Sequence, residues 1–473
     1  MTSMLAWGSD GARLLGAAMA CLAYAALCLT MWRRVATRRQ AARHAAAGLM
    51  TAADGSKPWL VAHASQTGTA ERLAWQTAQS LHAAGLPVRL CSLSNVGWKE
   101  LAASERALLL LSTYGEGDPP DNASAFARLM DEPPPSATSL KHLQFAVLAL
   151  GDATYKNFCG FGRSVDHWLA THGAQRLFER IDVDNHATLA LARWHASLES
   201  VGIASDDGAF DEAPFEPWVL VSRRALNPCG VASPVFELVL RPSSGNGKIA
   251  MDAWQAGDIA QVRAPRDPER PRDYSIASVP TEGTLKLLVR QERHPDGQFG
   301  VASGWLTDAL QEGAEVSLRL RPNSNFRTTG PVGQGLILVG NGTGVAGLRA
   351  HVAARRHLRE QGGVGPVWLV FGERQEQHDF HWREDLERWR AEGVITRLDT
   401  AFSRDTEPKA YVQDRLREHR DELRQWIAQG AAIYVCGSLE GMAAGVHAVL
   451  AAVLGEEELR QLAAQGRYRR DVY

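Results

Sequence analysis

Disulfide and metal-cluster frameworks are missing from this 473-residue sequence. Its six cysteines, Cys21, Cys28, Cys91, Cys159, Cys229 and Cys436, include no C-x-x-C pair, and no His/Cys group has zinc or iron–sulfur spacing. Unpaired thiols of this kind suit a reducing compartment. A dominant charge is missing too. The 51 basic and 53 acidic residues leave a net charge of −2, and no basic stripe alternates with aromatics, which argues against a nucleic-acid partner. There is no internal repeat and no low-complexity tract. What remains is an ordinary globular composition, 45% apolar and 22% charged, in a length that suits roughly three domains.

One segment stands apart. Leu14–Trp32 (LLGAAMACLAYAALCLTMW) carries no charge and exceeds the ~18 residues that a membrane-spanning helix needs. Arg33, Arg34, Arg38, Arg39 and Arg43 follow it, whereas only Arg13 precedes it. The positive-inside rule then predicts a single-pass anchor in a bacterial-type inner membrane, with everything after Trp32 in the cytoplasm. A cleaved signal peptide is the competing reading, because Ala23-Tyr24-Ala25 has the form of a cleavage site, but a signal carries its positive end first.

The pattern beyond the anchor predicts an α/β multidomain chain: anchor 1–33, linker 34–57, a doubly wound domain 58–203, a linker 204–217, an antiparallel β-barrel 218–329 and a second α/β domain 330–473. Apolar runs at Trp59–Ala64, Val88–Ser92, Ala107–Ser112 and Phe145–Leu150 alternate with helical periods at Ala70–Ala84 and Gly162–His172, which predicts a parallel sheet. Asp206–Pro217 is acidic and holds two prolines. Short β-type runs broken by Gly and Pro follow (Trp218–Ser222, Val235–Leu240, Ile259–Ala264, Thr284–Arg290, Glu315–Leu320). From Gly335 the alternation returns, with strands expected at Leu336–Gly340, Val367–Gly372, Val394–Asp399 and Ala432–Gly437.

Several loops carry nucleotide chemistry. Strand Trp59–Ala64 runs into Ser65-Gln66-Thr67-Gly68-Thr69-Ala70, where hydroxyls and a helix N-terminus form a phosphate cradle. Ser112-Thr113-Tyr114-Gly115 follows the third strand, and Leu150-Gly151-Asp152 with Tyr155, Asn157, Phe158 and Cys159 follows the fourth. In an open α/β sheet these loops meet at the carboxyl edge, where Tyr114 and Tyr155 can sandwich a flat ring. Further on, Arg272-Asp273-Tyr274-Ser275 offers a pyrophosphate fork, a ring face and a hydroxyl donor. Gly300-Val301-Ala302-Ser303 repeats the cradle form. A strand then enters Gly340-Asn341-Gly342-Thr343-Gly344, where glycines let a pyrophosphate approach the backbone.

In this order the segments resemble the diflavin reductases, of the NADPH sulfite reductase flavoprotein and NADPH–cytochrome reductase type. SQTGTAE, STYGEGDPPDNA and LGDATYKNFC resemble the FMN site of its flavodoxin-like half. RDYS, GVAS, GVITRLDTAFSRD, KAYVQDRLRE, IYVCGSLEGMA and RYRRDVY resemble its ferredoxin–NADP reductase-like half. The resemblance implies FMN held by Ser65–Ala70, Ser112–Gly115, Leu150–Asp152, Tyr155 and Asn157–Cys159. It implies FAD held by Arg272–Ser275, Gly300–Ser303 and Tyr473, the last stacking where nicotinamide must enter. NADPH would be held by Gly342–Gly344, Ser403, Arg404, Lys409, Tyr411, Gln413 and Cys436, with Ser403, Arg404, Lys409 and Tyr411 on the 2′-phosphate. Ser275, Cys436, Asp471 and Tyr473 would serve hydride transfer. No metal is expected. The implied reaction passes electrons from NADPH to FAD to FMN and on to a haemoprotein, with a membrane-associated cytochrome or ferric-siderophore acceptor as the alternative. A flavin-binding sensor without turnover is the alternative of another class.

The sequence also departs from that family. Asn341 and Gly347 replace the prolines of its nicotinamide loop, Ser438 stands where Asp is common, and Gly445 replaces a further Asp. The helical connecting domain before the RxYS strand is absent, which predicts two halves free to swing about the 204–217 linker. His378-x-x-His381 reads as a surface pair rather than a zinc site.

Overall fold

The computed structural model describes residues 57–473 apart from 66–67, 136–138, 154, 185–187, 204–213, 229–232, 244–248, 251, 295 and 360–361. Leu14–Trp32 and most of both expected linkers lie outside the described residues. Among the described residues no helix is long and apolar enough to cross a membrane.

Three sheets follow one another along the chain. The first holds β1 (Trp59–Ala64), β2 (Val88–Ser92), β3 (Arg106–Ser112), β4 (Gln144–Gly151), β5 (Gln175–Arg176) and β6 (Ile181–Asp184), in the order β2-β1-β3-β4-β5 with β6 also beside β4. All pairs are parallel. Parallel strands covered on both faces must be apolar throughout, and every residue of β1 is buried. Helices divide the core between Phe126, Phe161 and Trp168 on one face and Leu73, Leu81 and Trp194 on the other. The strand order reverses between β1 and β3, which opens a crevice at their carboxyl ends.

The second sheet holds β7 (Glu216–Ala225), β8 (Val235–Pro242), β9 (Ile259–Ala264), β10 (Asp267–Ser275), β11 (Leu285–Arg290) and β12 (Glu315–Arg321), antiparallel in the order β10-β9-β12-β7-β8-β11. Its edge strands β10 and β11 contact one another, curling the sheet around Trp218, Trp254 and Leu287. β9 and β10 form a hairpin in which Ala264 pairs with Asp267, so only Pro265 and Arg266 stand between the two strands. The approach to β9 is pinned: Asp258, 2% exposed, pairs with Arg327 at 2.5 and 2.6 Å and accepts from the Asn323 and Gln255 N–H groups.

The third sheet holds β13 (Leu336–Asn341), β14 (Val367–Glu373), β15 (Arg397–Phe402), β16 (Ala432–Gly437) and β17 (Tyr468–Val472), all parallel in the order β15-β14-β13-β16-β17. Val235, Ala277, Leu288 and Phe326 of the second unit share one core with Leu338, Val352 and Phe371 of the third. These two units are therefore one packed body.

Two expectations need correction. The strand expected at Val394–Asp399 starts at Arg397, because Val394 and Ile395 fold back onto the Trp389 carbonyl and close the preceding helix. His381 is not on the surface: it is fully buried, 3.6 Å from Glu373 and beside Phe371. Among the described residues no three His, Cys, Asp or Glu side chains come together as a metal site.

Candidate functional site

The first crevice lies over β1, β3 and β4. Thr69, Ser112, Thr113, Tyr114, Gly115, Leu150, Gly151, Asp152, Tyr155, Asn157, Phe158 and Cys159 line one cavity. Gly68, in the left-handed region at φ 82°, turns the chain into the helix Thr69–Ala83 and points that helix's N-terminus at the crevice. Ser65 Oγ accepts the Ala70 N–H at 3.3 Å, which fixes the start of the turn; Ala70 itself is core. Gln66 and Thr67 lie outside the described residues. The Thr113 hydroxyl and the Tyr114 phenol are buried with no hydrogen-bond partner, a polar lining that fits a nucleotide-type ring system. Cys159 is packed: its thiol donates to the Ala149 carbonyl at 3.2 Å, and burial, with Asp182 nearby, pushes its pKa up to about 12.

A second cavity of about 520 Å³ lies between the barrel and β17 and is lined by Arg272, Asp273, Tyr274, Ser275, Gly300, Val301, Ala302, Ser303, Asp471 and Tyr473 among others. A Cβ on Gly300 would stand 2.7 Å from Ser303 Oγ, so a larger residue there would have to displace that hydroxyl. A third cavity of about 800 Å³ opens at the carboxyl ends of β13, β14, β15 and β16. Gly342, Thr343, Ser403, Tyr411, Gln413 and Tyr473 line it. Arg404 and Lys409 are not among its lining residues, whereas Arg290 and Arg374 are.

The second and third cavities meet at Tyr473, which lines both. Its hydroxyl is 3.0 Å from Thr343 Oγ1. Beneath it Ser275 Oγ donates to Asp471 Oδ2 at 2.8 Å, and Cys436 Sγ lies 3.8 Å from the same oxygen. The parallel pairing of β16 with β17 sets this meeting, since Cys436 is registered with Asp471. Burial raises the Asp471 pKa above the usual carboxylate value, although the Ser275 hydrogen bond opposes it. Burial likewise raises that of Cys436, which Asp471 reinforces. Both shifts favour the protonated forms of the two groups.

The unexpected side chains at positions 341, 347, 438 and 445 fall into a pattern. Asn341 Oδ1 accepts the Ser438 N–H at 3.0 Å, so two of them hold each other. A Cβ on Gly445 would stand 3.0 Å from Gln413 Nε2, so Gln413 occupies the space over it. A Cβ on Gly347 would stand 3.4 Å from Cys436 Sγ and 3.6 Å from Ser275 Cβ; glycine brings the helix Val345–Arg359 close to both side chains.

Arg290 and Glu373 were not singled out from the sequence. Arg290 lines the second and third cavities and pairs with Glu373 at 2.5 Å. Burial opposes ionisation of Glu373, but His381 and Arg290 outweigh it and hold the carboxyl down at about 2. Glu373 ends β14, and residues at the carboxyl ends of parallel strands are the available signal for such a position.

The flavodoxin-like domain is docked on the rest of the chain. Arg321 of β12 donates to Thr69 Oγ1 at 3.0 Å and to Asp273 Oδ2 at 2.6 Å. Ser324 donates to Glu71 at 2.7 Å, Asn325 to the Ser65 carbonyl, and Arg470 forks onto Asp121. Freely swinging halves were expected; in the structure four polar residue pairs join them.

A flavodoxin family model matches residues 61–195, and an oxidoreductase NAD-binding domain model matches 338–448. The sulfite reductase NADPH flavoprotein alpha-component of Neisseria meningitidis serogroup B is 30% identical, over 90% of this chain and 91% of the relative. That of Sodalis glossinidius is also 30% identical, over 93% of each chain, and that of Salmonella typhi 29%, over 91% and 92%. The Neisseria alignment runs over 557 positions, more than the 473 residues available, so the relative carries segments that this chain lacks. With both domain models matched in order and a relative 30% identical over about nine-tenths of both chains, the chain belongs to the diflavin reductase family.

Proposed function

We propose that the protein is an NADPH-dependent reductase that uses FAD and FMN to turn the electron pair of a hydride into single electrons for a haemoprotein acceptor. The observation that carries this reading is Tyr473, standing between two cavities above the Ser275–Asp471–Cys436 corner.

Each group has residues that fit it. The turn before Thr69, with Tyr114 and Tyr155, would hold FMN; Arg272, Tyr274, Ser275 and Gly300–Ser303 would hold FAD. Gly342, Thr343, Ser403, Tyr411 and Gln413 would hold NADPH, with Arg290 and Arg374 supplying positive charge inside the cavity. Tyr473 must turn aside before a nicotinamide ring can reach Ser275. Asp471 Oδ2 accepts the Ser275 hydroxyl and so orients that hydroxyl toward the cavity.

Flavin extraction from a chain starting near Asp54 should yield FMN and FAD in equal amounts, and NADPH should reduce ferricyanide and cytochrome c. A single flavin type, or no turnover with either acceptor, would sink the reading. The haem subunit of a sulfite reductase is the first acceptor to test, on the likeness to the alpha-components. The uncharged stretch Leu14–Trp32 favours a second acceptor class at the inner membrane, a cytochrome or a ferric siderophore. Fractionation of the full chain against one lacking residues 1–53 tests the anchor, and recovery of both in the soluble fraction counts against it.

A further inference from the structure

β17 serves two sites at once. Side chains alternate along a strand, so Arg469, Asp471 and Tyr473 turn one way and Tyr468, Arg470 and Val472 the other. Asp471 and Tyr473 belong to the hydride corner. Arg470 leaves in the opposite direction and reaches the flavodoxin-like domain, where its Nε donates to Asp121 Oδ1 at 2.9 Å and Oδ2 at 3.1 Å. Its guanidinium carbon also lies over the Tyr114 ring, 5.5 Å from the centroid, and 5.7 Å from that of Tyr468. Both partners of the ion pair are more than four-fifths buried. Val472 and Asp273 line both the Tyr114 cavity and the Ser275 cavity, so a thin wall separates the two.

We propose that Arg470 is the positioning residue that closes the flavodoxin-like domain over the FAD cavity, by forking onto Asp121 and lying over Tyr114. A short route between the flavins exists only while this contact is made. Without a connecting domain to orient the two halves, an ion pair on the strand that also carries Asp471 takes over that task. A fork geometry specifies orientation as well as attraction, which a single point charge does not. The proposal rests on the two-flavin reading above.

The test uses the flavin-loaded protein and four forms: the parent, Asp121→Asn, Arg470→Lys, and the charge-exchanged pair Asp121→Arg with Arg470→Asp. Small-angle scattering reports closure whatever the substrate, and the rate of flavin absorbance re-equilibration after mixing with NADPH reports transfer between the halves. Asp121→Asn should have a larger radius of gyration than the parent and slow the second rate about tenfold, while ferricyanide reduction stays within about twofold. The exchanged pair should recover compactness, and Arg470→Lys should recover it in part. High salt should expand the parent more than Asp121→Asn, because salt screens what the variant has already lost. An unchanged radius and rate in Asp121→Asn would overturn the proposal. So would loss of FMN from that variant, which would make the pair a holder of the group rather than of the domain. Absence of either flavin from the parent would instead defeat the two-flavin reading.

Discussion

Ser275 and Asp471, 196 residues apart, share a hydrogen bond of 2.8 Å on the floor of the cavity that Tyr473 covers. A strand of the barrel and a strand of the last sheet thus build one corner. Ser275→Ala and Asp471→Asn should each slow NADPH-dependent reduction by about 10- to 100-fold, and the double variant should be little worse than the poorer single one, because the pair acts as a unit. Stopped-flow reduction under excess NADPH measures this; additive losses would separate the two roles.

Asp471 should also link activity to stability in opposite senses. Its pKa is raised by burial, so its contribution to stability is present below the ordinary carboxylate range and is lost as pH rises through the raised value. At pH 8, Asp471→Asn should therefore melt no lower than the parent, and higher if ionisation is forced there, although it turns over more slowly. Thermal melts at pH 6 and 8 check the sign.

Glu373 should behave the other way. Held at about 2 against an ordinary 4.5, it contributes stability above pH 4.5 that is lost as pH falls toward 2. Glu373→Gln should lower stability at pH 7 and flatten the acid limb of a denaturation-against-pH curve. A parallel displacement of the whole curve would count against the assignment.

Tyr473→Ala should open the nicotinamide entrance and weaken discrimination against NADH. Comparison of kcat/KM for the two nucleotides measures it, and an unchanged preference would remove Tyr473 from the gate.

Arg349 should be the costliest single loss in the packed body. It is 2% exposed, bonds Glu282 and Asp385, and lies 5.2 and 5.0 Å from the Trp382 and Trp389 rings. Arg349→Ala takes the buried partner from two carboxylates, leaving Glu282 with Lys286 and Asp385 with Arg388, and should cost about 3 kcal/mol in urea unfolding.

The two parallel sheets were legible because their buried strands are continuous apolar runs, as in WLVAHA and AIYVCG, and the antiparallel one because glycine and proline break its short β-type runs. The lining of the first cavity was legible for the same reason: its loops follow strand ends directly. β17 was not legible as a strand, because YRRDV has no apolar period; its side chains are chosen by the sites they serve. Arg290, Glu373, Arg321 and Asp121 were hidden because each has a charged partner 48 or more residues away. The docked interface could not be read from a linker's composition, since its contacts come from loops on both sides.

The alternation of β17 has a hereditary consequence. An edge strand ordinarily tolerates a slip, but here a one-residue insertion just ahead of Arg470 would carry that cation into the place of Asp471, and a one-residue deletion there would bring Asp471 against Asp121. Substitutions can reach either site separately. Length changes cannot, so the spacing of these six residues must pass between descendants as one indivisible block.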